Sequence, residues 1–292
     1  MSNNTFTLRK AERKKAKIRL GLSAVAGGGK TMSALLIAFG ITADWSKIGV
    51  IDTENQSADL YCHLGDYQVL SLSSPYSPER YIQAIRACEE AGMEVIIIDS
   101  ITHEWDGKGG CLEIVDSLGG KFADWAKVTP RHQAFLDAIL QSKCHVITTV
   151  RRKQEYEVIK DGNKTKVEKA GTKEITREGF EYELTVNLEL DQRHNATASK
   201  DRTGLFMGKP AFVPDASTGR MIYEWCESGA TPTPVQLPAI SDEQFFKAKQ
   251  RLGTGEIDVY EKIIAAFTLT SSQLNELDDL LKTQKEKQNG SK

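Results

Sequence analysis

From Lys17 to Val150 short apolar runs alternate with longer amphipathic ones. "KIRLGLSAVA" (17–26), "KIGVID" (47–52), "YQVLSL" (67–72), "EVIIID" (94–99) and "CHVITTV" (144–150) have strand length. "EVIIID" is a nearly unbroken β-branched run, and it and "CHVITTV" read as strands buried on both faces of a parallel sheet. Between them "TMSALLIAFGI" (31–41), "ERYIQAIRACEEAG" (79–92) behind Pro78 and "RHQAFLDAILQS" (131–142) behind Pro130 read as helices, with proline at the start and, in the second, glycine at the end. Repeated strand–helix alternation predicts a three-layer α/β domain.

Past residue 150 the pattern changes. "QEYEVIKDGNKTKVEK" (154–169) sets Asp-Gly-Asn between two polar alternating runs, a hairpin signal. "GFEYELTVNLELD" (179–191) alternates more strongly and is expected to rejoin the sheet, and "KPAFVPDASTGRMIYEWCESG" (209–229) reads as a closing segment with a short helix. Pro232, Pro234 and Pro238 mark 230–240 as a linker. Residues 241–292 suggest two or three helices, the last with Leu274, Leu277, Leu280 and Leu281 at helical spacing. The expected organisation is a basic arm (1–16), a core (17–229), the linker and a helical extension.

Charge refines this picture in one place. The 38 Lys+Arg and 40 Asp+Glu give a formal net charge of −2, which excludes a uniformly basic protein. Yet residues 1–20 carry Arg9, Lys10, Arg13, Lys14, Lys15, Lys17 and Arg19 against Glu12. Such an arm suits a nucleic-acid backbone or subunit docking, and lacks the clean apolar face of a membrane helix. Five scattered cysteines suggest a reduced, cytoplasmic setting, and no apolar run has spanning length. The histidines show no metal-binding spacing, and the four tryptophans read as packing anchors.

The strongest chemical signal is "AVAGGGKTMSALL" (24–36), a glycine cluster between a predicted strand and a predicted helix. Glycines let backbone N–H groups converge on phosphate oxygens, and the helix N-terminus adds its own donors. Ala26, Gly27, Gly28, Gly29, Lys30, Thr31 and Met32 form the expected cradle, Lys30 reaching the β- and γ-phosphates and Thr31 coordinating Mg²⁺. The strict pattern asks for glycine where Ala24 stands. Asp99, ending "EVIIID", is the expected second metal-side group, so ATP and Mg²⁺ are the expected ligands. Hydrolysis needs a group to position water. Glu54, after the second strand with Asp52 beside it, is preferred over Glu104, five residues past Asp99. Thr148, Thr149 and the Arg151–Gln154 run end the fifth strand, where a polar group senses the γ-phosphate.

"GLSAVAGGGKTMSALL", "GVIDTENQSADLY", "VIIIDSITHEW", "HVITTVRRKQEY" and "SKDRTGLF", in this order, resemble phage and prophage RecA-like ATPases, the reduced recombinase core of Sak type, over residues 17–228. The resemblance implies a RecA-like P-loop NTPase fold with a mostly parallel sheet, a catalytic role for Glu54, and a nucleotide-to-DNA switch near Arg151 to Gln154. It also implies a homo-oligomer in which Lys200 and Arg202 reach the neighbouring subunit's γ-phosphate. The partner expected is DNA, single-stranded, with the C-terminal helices open to a recombination protein. Two other readings stay open: a phosphotransferase for a small substrate, with the 154–169 hairpin as its lid, and a non-catalytic nucleotide-dependent module that binds partner proteins.

Overall fold

The computed structural model describes residues 10–161, 164–230 and 238–289. The chain divides into two compact units, Met1–Thr231 and Pro232–Lys292. Most of the expected 230–240 linker, with Pro232 and Pro234, lies outside the described residues, as do the first nine residues of the basic arm and the Gly162–Asn163 part of the hairpin turn.

The first unit is built on β1 (Arg19–Ala24), β2 (Ile48–Asp52), β3 (Gln68–Ser71), β4 (Val95–Asp99), β5 (His145–Asp161), β6 (Lys164–Glu174), β7 (Val186–Leu190) and β8 (Ala196–Asp201). Their order is β3-β2-β4-β5-β1-β7-β8, with β6 pairing β5 off this path. All neighbours along the path are parallel except β8, which runs antiparallel to β7. The helices are α1 (Lys30–Thr42), α2 (Pro78–Glu90), α3 (Thr102–Asp106), α4 (Cys111–Leu118), α5 (Trp125–Gln141), α6 (Phe180–Glu183) and α7 (Ala216–Glu227).

Period-two alternation along buried strands explains the layering. Leu20 and Leu22 of β1, Ile97 of β4 and Ile147 of β5 face one core shared with Leu35 and Ile37 of α1 and Ile222 of α7. Ile96 and Ile98 of β4 and Val146 and Val150 of β5 face the other, against Tyr81 and Ile85 of α2 and Phe135 and Ile139 of α5. The result is a three-layer α/β fold with a mostly parallel sheet, the architecture of P-loop NTPases. Helices α1 and α7 approach closely at Gly40 and Gly219, where an added Cβ would lie 2.0 Å from the Ala216 and Ile37 carbonyl oxygens respectively. The buried Arg19 is satisfied at the end of α5, donating to the Leu140 and Cys144 carbonyls at 3.1 and 2.7 Å and to that of Ser142.

Three expectations need correction. Helix α5 begins at Trp125, so Pro130 lies inside it. The turn before the proline is held by packing: Trp125 stacks on Trp105 at 5.4 Å and Val128 is fully buried, and this outweighs the missing N–H. Strand β5 does not end at Val150 but continues to Asp161, because beyond the parallel sheet it pairs with β6 from Arg152↔Glu174 to Asp161↔Lys164. Finally, "GFEYE" forms the short α6, and only Val186–Leu190 rejoins the sheet, beside β1.

The second unit contains α8 (Asp242–Gly253), α9 (Asp258–Ala266) and α10 (Ser271–Asn289). Ser241 and Gln244 form a capping box at the start of α8. Ala248, Leu252, Val259 and Leu277 are buried, whereas Leu274 is 38% exposed and stands outside this small core.

One buried histidine predicts a pH dependence of stability. His145 accepts the Ile18 N–H at Nδ1 (3.1 Å), and burial, with Lys17 and Arg19 nearby, pushes its pKa down to about 3. Between that value and the ordinary ~6.5 the unfolded chain binds a proton that the folded chain refuses, so this contribution is present above pH ~6.5 and lost as pH falls. The expected slope is up to about 1.4 kcal/mol per pH unit in that window. Urea unfolding at pH 7 and pH 5 should show a smaller loss in His145→Gln than in the unaltered protein; equal losses would remove His145 as the cause.

Candidate active site

Strand β1 ends at Ala24 and α1 begins at Lys30, so the glycine cluster is a tight connection between them. Gly27 and Gly29 have φ of 78° and 81°, the left-handed region where a side chain is strained. Helix α1 has no side-chain cap and no acidic residue in its first turn. Its first N–H groups are therefore left for an anion, with the positive end of the helix dipole behind them. Lys30 Nζ folds back onto the Ala24 and Val25 carbonyls, 3.3 Å from each. Burial pushes its pKa down, partly offset by Asp99. A half-buried ammonium hydrogen-bonded to two carbonyls is well placed to turn toward a phosphate.

Ala24 is accommodated because it still belongs to β1 and faces the core, fully buried. Gly28 makes room for it: a Cβ on Gly28 would lie 2.6 Å from the Ala24 Cβ. Gly28→Ala should therefore distort the loop, costing about 1–3 kcal/mol as overpacking does and weakening nucleotide binding. Ala24→Gly in the same chain should recover most of that loss. Nucleotide titration and thermal unfolding of the single and double variants measure it, and additive effects would contradict the contact.

Asp99 ends β4, 1% exposed. Its Oδ2 accepts from Thr31 Oγ1 at 2.6 Å and its Oδ1 from Thr149 Oγ1 at 2.5 Å. Burial pushes this carboxyl up, while the two hydroxyls and Lys30 pull it back down. A buried carboxylate touching the hydroxyl that opens α1 is the oxygen-donor pair a phosphate-bound Mg²⁺ requires, so the residues fit the metal. The Asp99–Ser100 peptide is cis.

Glu54 follows β2, next to β4 in the sheet. Asp52 shapes its loop, accepting the Glu54 N–H at 2.6 Å and the Ala58 N–H at 2.8 Å. Asn55 and Gln56 take left-handed backbone angles between these anchors. Thr53 crosses to the Ser100 carbonyl at 3.1 Å and meets His103 Nδ1 at 2.8 Å, tying the ends of β2 and β4 together. The Glu54 carboxylate accepts from Ser100 Oγ at 2.9 Å and from Arg151 Nε at 2.8 Å, and Arg151 Nη2 pairs with its second oxygen. Glu104 is elsewhere: 1% exposed, its carboxylate meets Cys111 Sγ and His132 Nδ1 at 3.1 Å among the described residues. The structure thus brings Lys30, Thr31 and Asp99 together, with Glu54 on the neighbouring strand, and leaves Glu104 in a separate interior cluster.

A family model described as an AAA domain matches residues 16–213. The chain belongs to this family. It is a member of the AAA-domain P-loop NTPases, whose character is nucleotide binding and hydrolysis. No curated protein matches the chain.

In this AAA-domain protein a cavity of about 410 Å³ opens beside the phosphate loop, lined by Gly27, Gly29, Lys30, Thr31 and Met32 and walled by Tyr61, His194 and Pro214 among others. Ala26 and Gly28, named with the cradle from sequence, are not among its lining residues. Tyr61, His194, Val213 and Pro214 carry no sequence signal; they arrive from a 3₁₀ turn (Ser57–Leu64), the β7–β8 turn and the segment before α7. His194 holds a φ of 66°, and its ring stands 3.1 Å from where a Gly29 Cβ would be.

Lys200 and Arg202 lie far from their own phosphate loop. Lys200 pairs with Asn187, which pairs with Gly21, three residues before Ala24. Lys200 Nζ is buried without a hydrogen-bond partner, and burial, then Arg202, push its pKa down. Arg202 is exposed and donates to the Tyr182 carbonyl at 3.0 Å. Asp201 between them accepts N–H groups of Thr203, Gly204, Phe206 and Met207, which makes it the organiser of a turn. The inner part of the basic arm is committed to its own core: Arg13 lies 4.4 Å over the Trp225 ring and Lys15 pairs with Glu227. Among the described residues no helix is long and apolar enough to cross a membrane.

Proposed function

We propose that this protein is a RecA-like ATPase of Sak type that couples MgATP hydrolysis to assembly on single-stranded DNA in phage-type recombination or repair. One observation carries the reading: the Glu54 carboxylate, on the strand beside Asp99, is gripped by Arg151 at the point where β5 leaves the sheet as a hairpin. A group suited to orienting water is thereby tied to the root of an outward-reaching element.

Thr31 and Asp99 would hold Mg²⁺, which when bound would neutralise charge on the phosphate oxygens. Lys30 and the first N–H groups of α1 hold the phosphates, and Tyr61 with Val213 and Pro214 offers apolar walls for a planar base. Arg151 neutralises Glu54. Movement of the hairpin that draws Arg151 away leaves the carboxylate free to accept a proton from water. Thr149, on Asp99, registers the same strand from the metal side. The sequence resemblance supports DNA as the occupant of the hairpin and a homo-oligomer as the working form.

Turnover should rise with protein concentration and rise further with single-stranded DNA. Phosphate release measured across a concentration series, with and without DNA, tests this. A flat rate indifferent to DNA would end the coupling proposal while leaving the nucleotide site intact.

A further inference from the structure

Three donors of different chemistry meet in the interior of the first unit. Glu104 of α3, Cys111 of α4 and His132 of α5 are 1%, 0% and 4% exposed. Cys111 Sγ lies 3.1 Å from Glu104 Oε1, and His132 Nδ1 lies 3.1 Å from both Glu104 oxygens. All three donor atoms fall within 4.8 Å of one another. The surroundings are apolar: Trp105 stacks on Trp125 and meets the His132 ring edge-on at 5.5 Å, while Val115 and Val128 pack with Cys111. None of the three lines the nucleotide cavity.

We propose that Glu104, Cys111 and His132 bind a zinc ion, a site separate from the Mg²⁺ position and independent of the ATPase reading. A thiolate, an imidazole and a carboxylate are the donor set of zinc, whereas magnesium takes oxygen ligands and keeps water. Zinc–ligand bonds of roughly 2.0–2.3 Å place tetrahedral donors about 3.4–3.7 Å apart. The separations at Glu104 are 3.1 Å and every pair lies within 4.8 Å, so shifts within the side chains complete the site. Thiolate and carboxylate together cancel the charge of the divalent ion, which removes the cost of an anion buried among tryptophans. On binding, Cys111 releases its proton to solvent as the sulfur–zinc bond forms, and His132 presents the Nδ1 lone pair. No fourth His, Cys, Asp or Glu joins the group among the described residues, which leaves one coordination position to another donor.

The ion would staple short elements that have little stability alone. Helix α3 has five residues and α4 eight, below the length at which helices persist unaided. Helix α3 also supports the active site: the Thr102 hydroxyl accepts the Arg151 N–H at 2.9 Å, and His103 meets Thr53. A metal at Glu104 therefore stiffens the base of the Glu54–Arg151 arrangement.

The test uses the full chain, purified without chelator or polyhistidine tag. Elemental analysis should find one zinc per chain, retained in Thr31→Ala, which alters the Mg²⁺ site, and lost in Cys111→Ala and His132→Gln. Zinc should raise the melting temperature of the metal-stripped protein but not that of the two variants. Cobalt should give a thiolate-to-metal absorption band that survives Cys62→Ser and disappears in Cys111→Ala, with circular dichroism verifying that each variant is folded. Folded protein that takes up neither zinc nor cobalt, or a cobalt band indifferent to Cys111, would overturn the proposal. If both variants fail to fold, the unaltered protein still decides by its zinc content and cobalt spectrum.

Discussion

Glu54→Gln should abolish ATP turnover while sparing ATP binding. General-base contributions are worth about 10²–10⁴ in rate, and the amide can still accept from Ser100 but cannot take a proton from water. Binding should persist because Glu54 does not line the nucleotide cavity and its loop is fixed by Asp52 through backbone N–H groups. Glu104→Gln gives the contrasting result. It disturbs a buried cluster with His132 and Cys111, so its larger effect should fall on thermal stability. Single-turnover phosphate release and nucleotide titration on both variants separate the two carboxylates. Normal turnover in Glu54→Gln would remove it as the water-positioning group.

The parts of this site that were legible in the sequence are those whose geometry is local. Gly27 to Thr31 need only a strand before them and a helix after them, and Asp99 needs only the end of an apolar run. The partnerships between these pieces are set by strand order, which no local pattern encodes. Thr149 meets Asp99, and Arg151 meets Glu54, because β5 is inserted between β1 and β4. That placement singles out Arg151 from the charged run: Arg152 turns instead to Glu189 and Ser23, and Gln154 bonds the Gly171 carbonyl within the hairpin. His194 was opaque for the same reason, since a turn between β7 and β8 is carried to the phosphate loop only once β7 pairs with β1. Glu104, Cys111 and His132 are separated by 7 and 21 residues in the sequence, and helix packing alone brings them together. Pro130 misled in the opposite direction, because a local rule for helix starts yielded to the tryptophan stack.

Replacing Lys200 and Arg202 together with alanine should remove turnover by a factor of about 10³–10⁵, the range found where a cation completes a phosphoryl-transfer site. The register makes this a prediction about neighbouring chains. Lys200 stands level with Gly21, about 10 Å along β1 from Ala24 at some 3.3 Å per residue. Arg202 is further still, bonded through its N–H to the Thr185 carbonyl. Neither side chain can reach the phosphates of its own loop, so a catalytic role requires another copy's nucleotide. Lys200 Nζ is buried without a hydrogen-bond partner, so no internal bond opposes the outward swing that would bring it to a neighbour's anion. A mixing experiment reads this directly. Chains carrying Glu54→Gln and chains carrying both alanines should each be inactive alone. Mixed in equal amounts they should regain about a quarter of full turnover, the share of head-to-tail interfaces that join an intact Glu54 to an intact Lys200 and Arg202. If the double-alanine chain hydrolyses ATP normally, or the mixture stays silent although it assembles, these two cations do not act across a subunit interface.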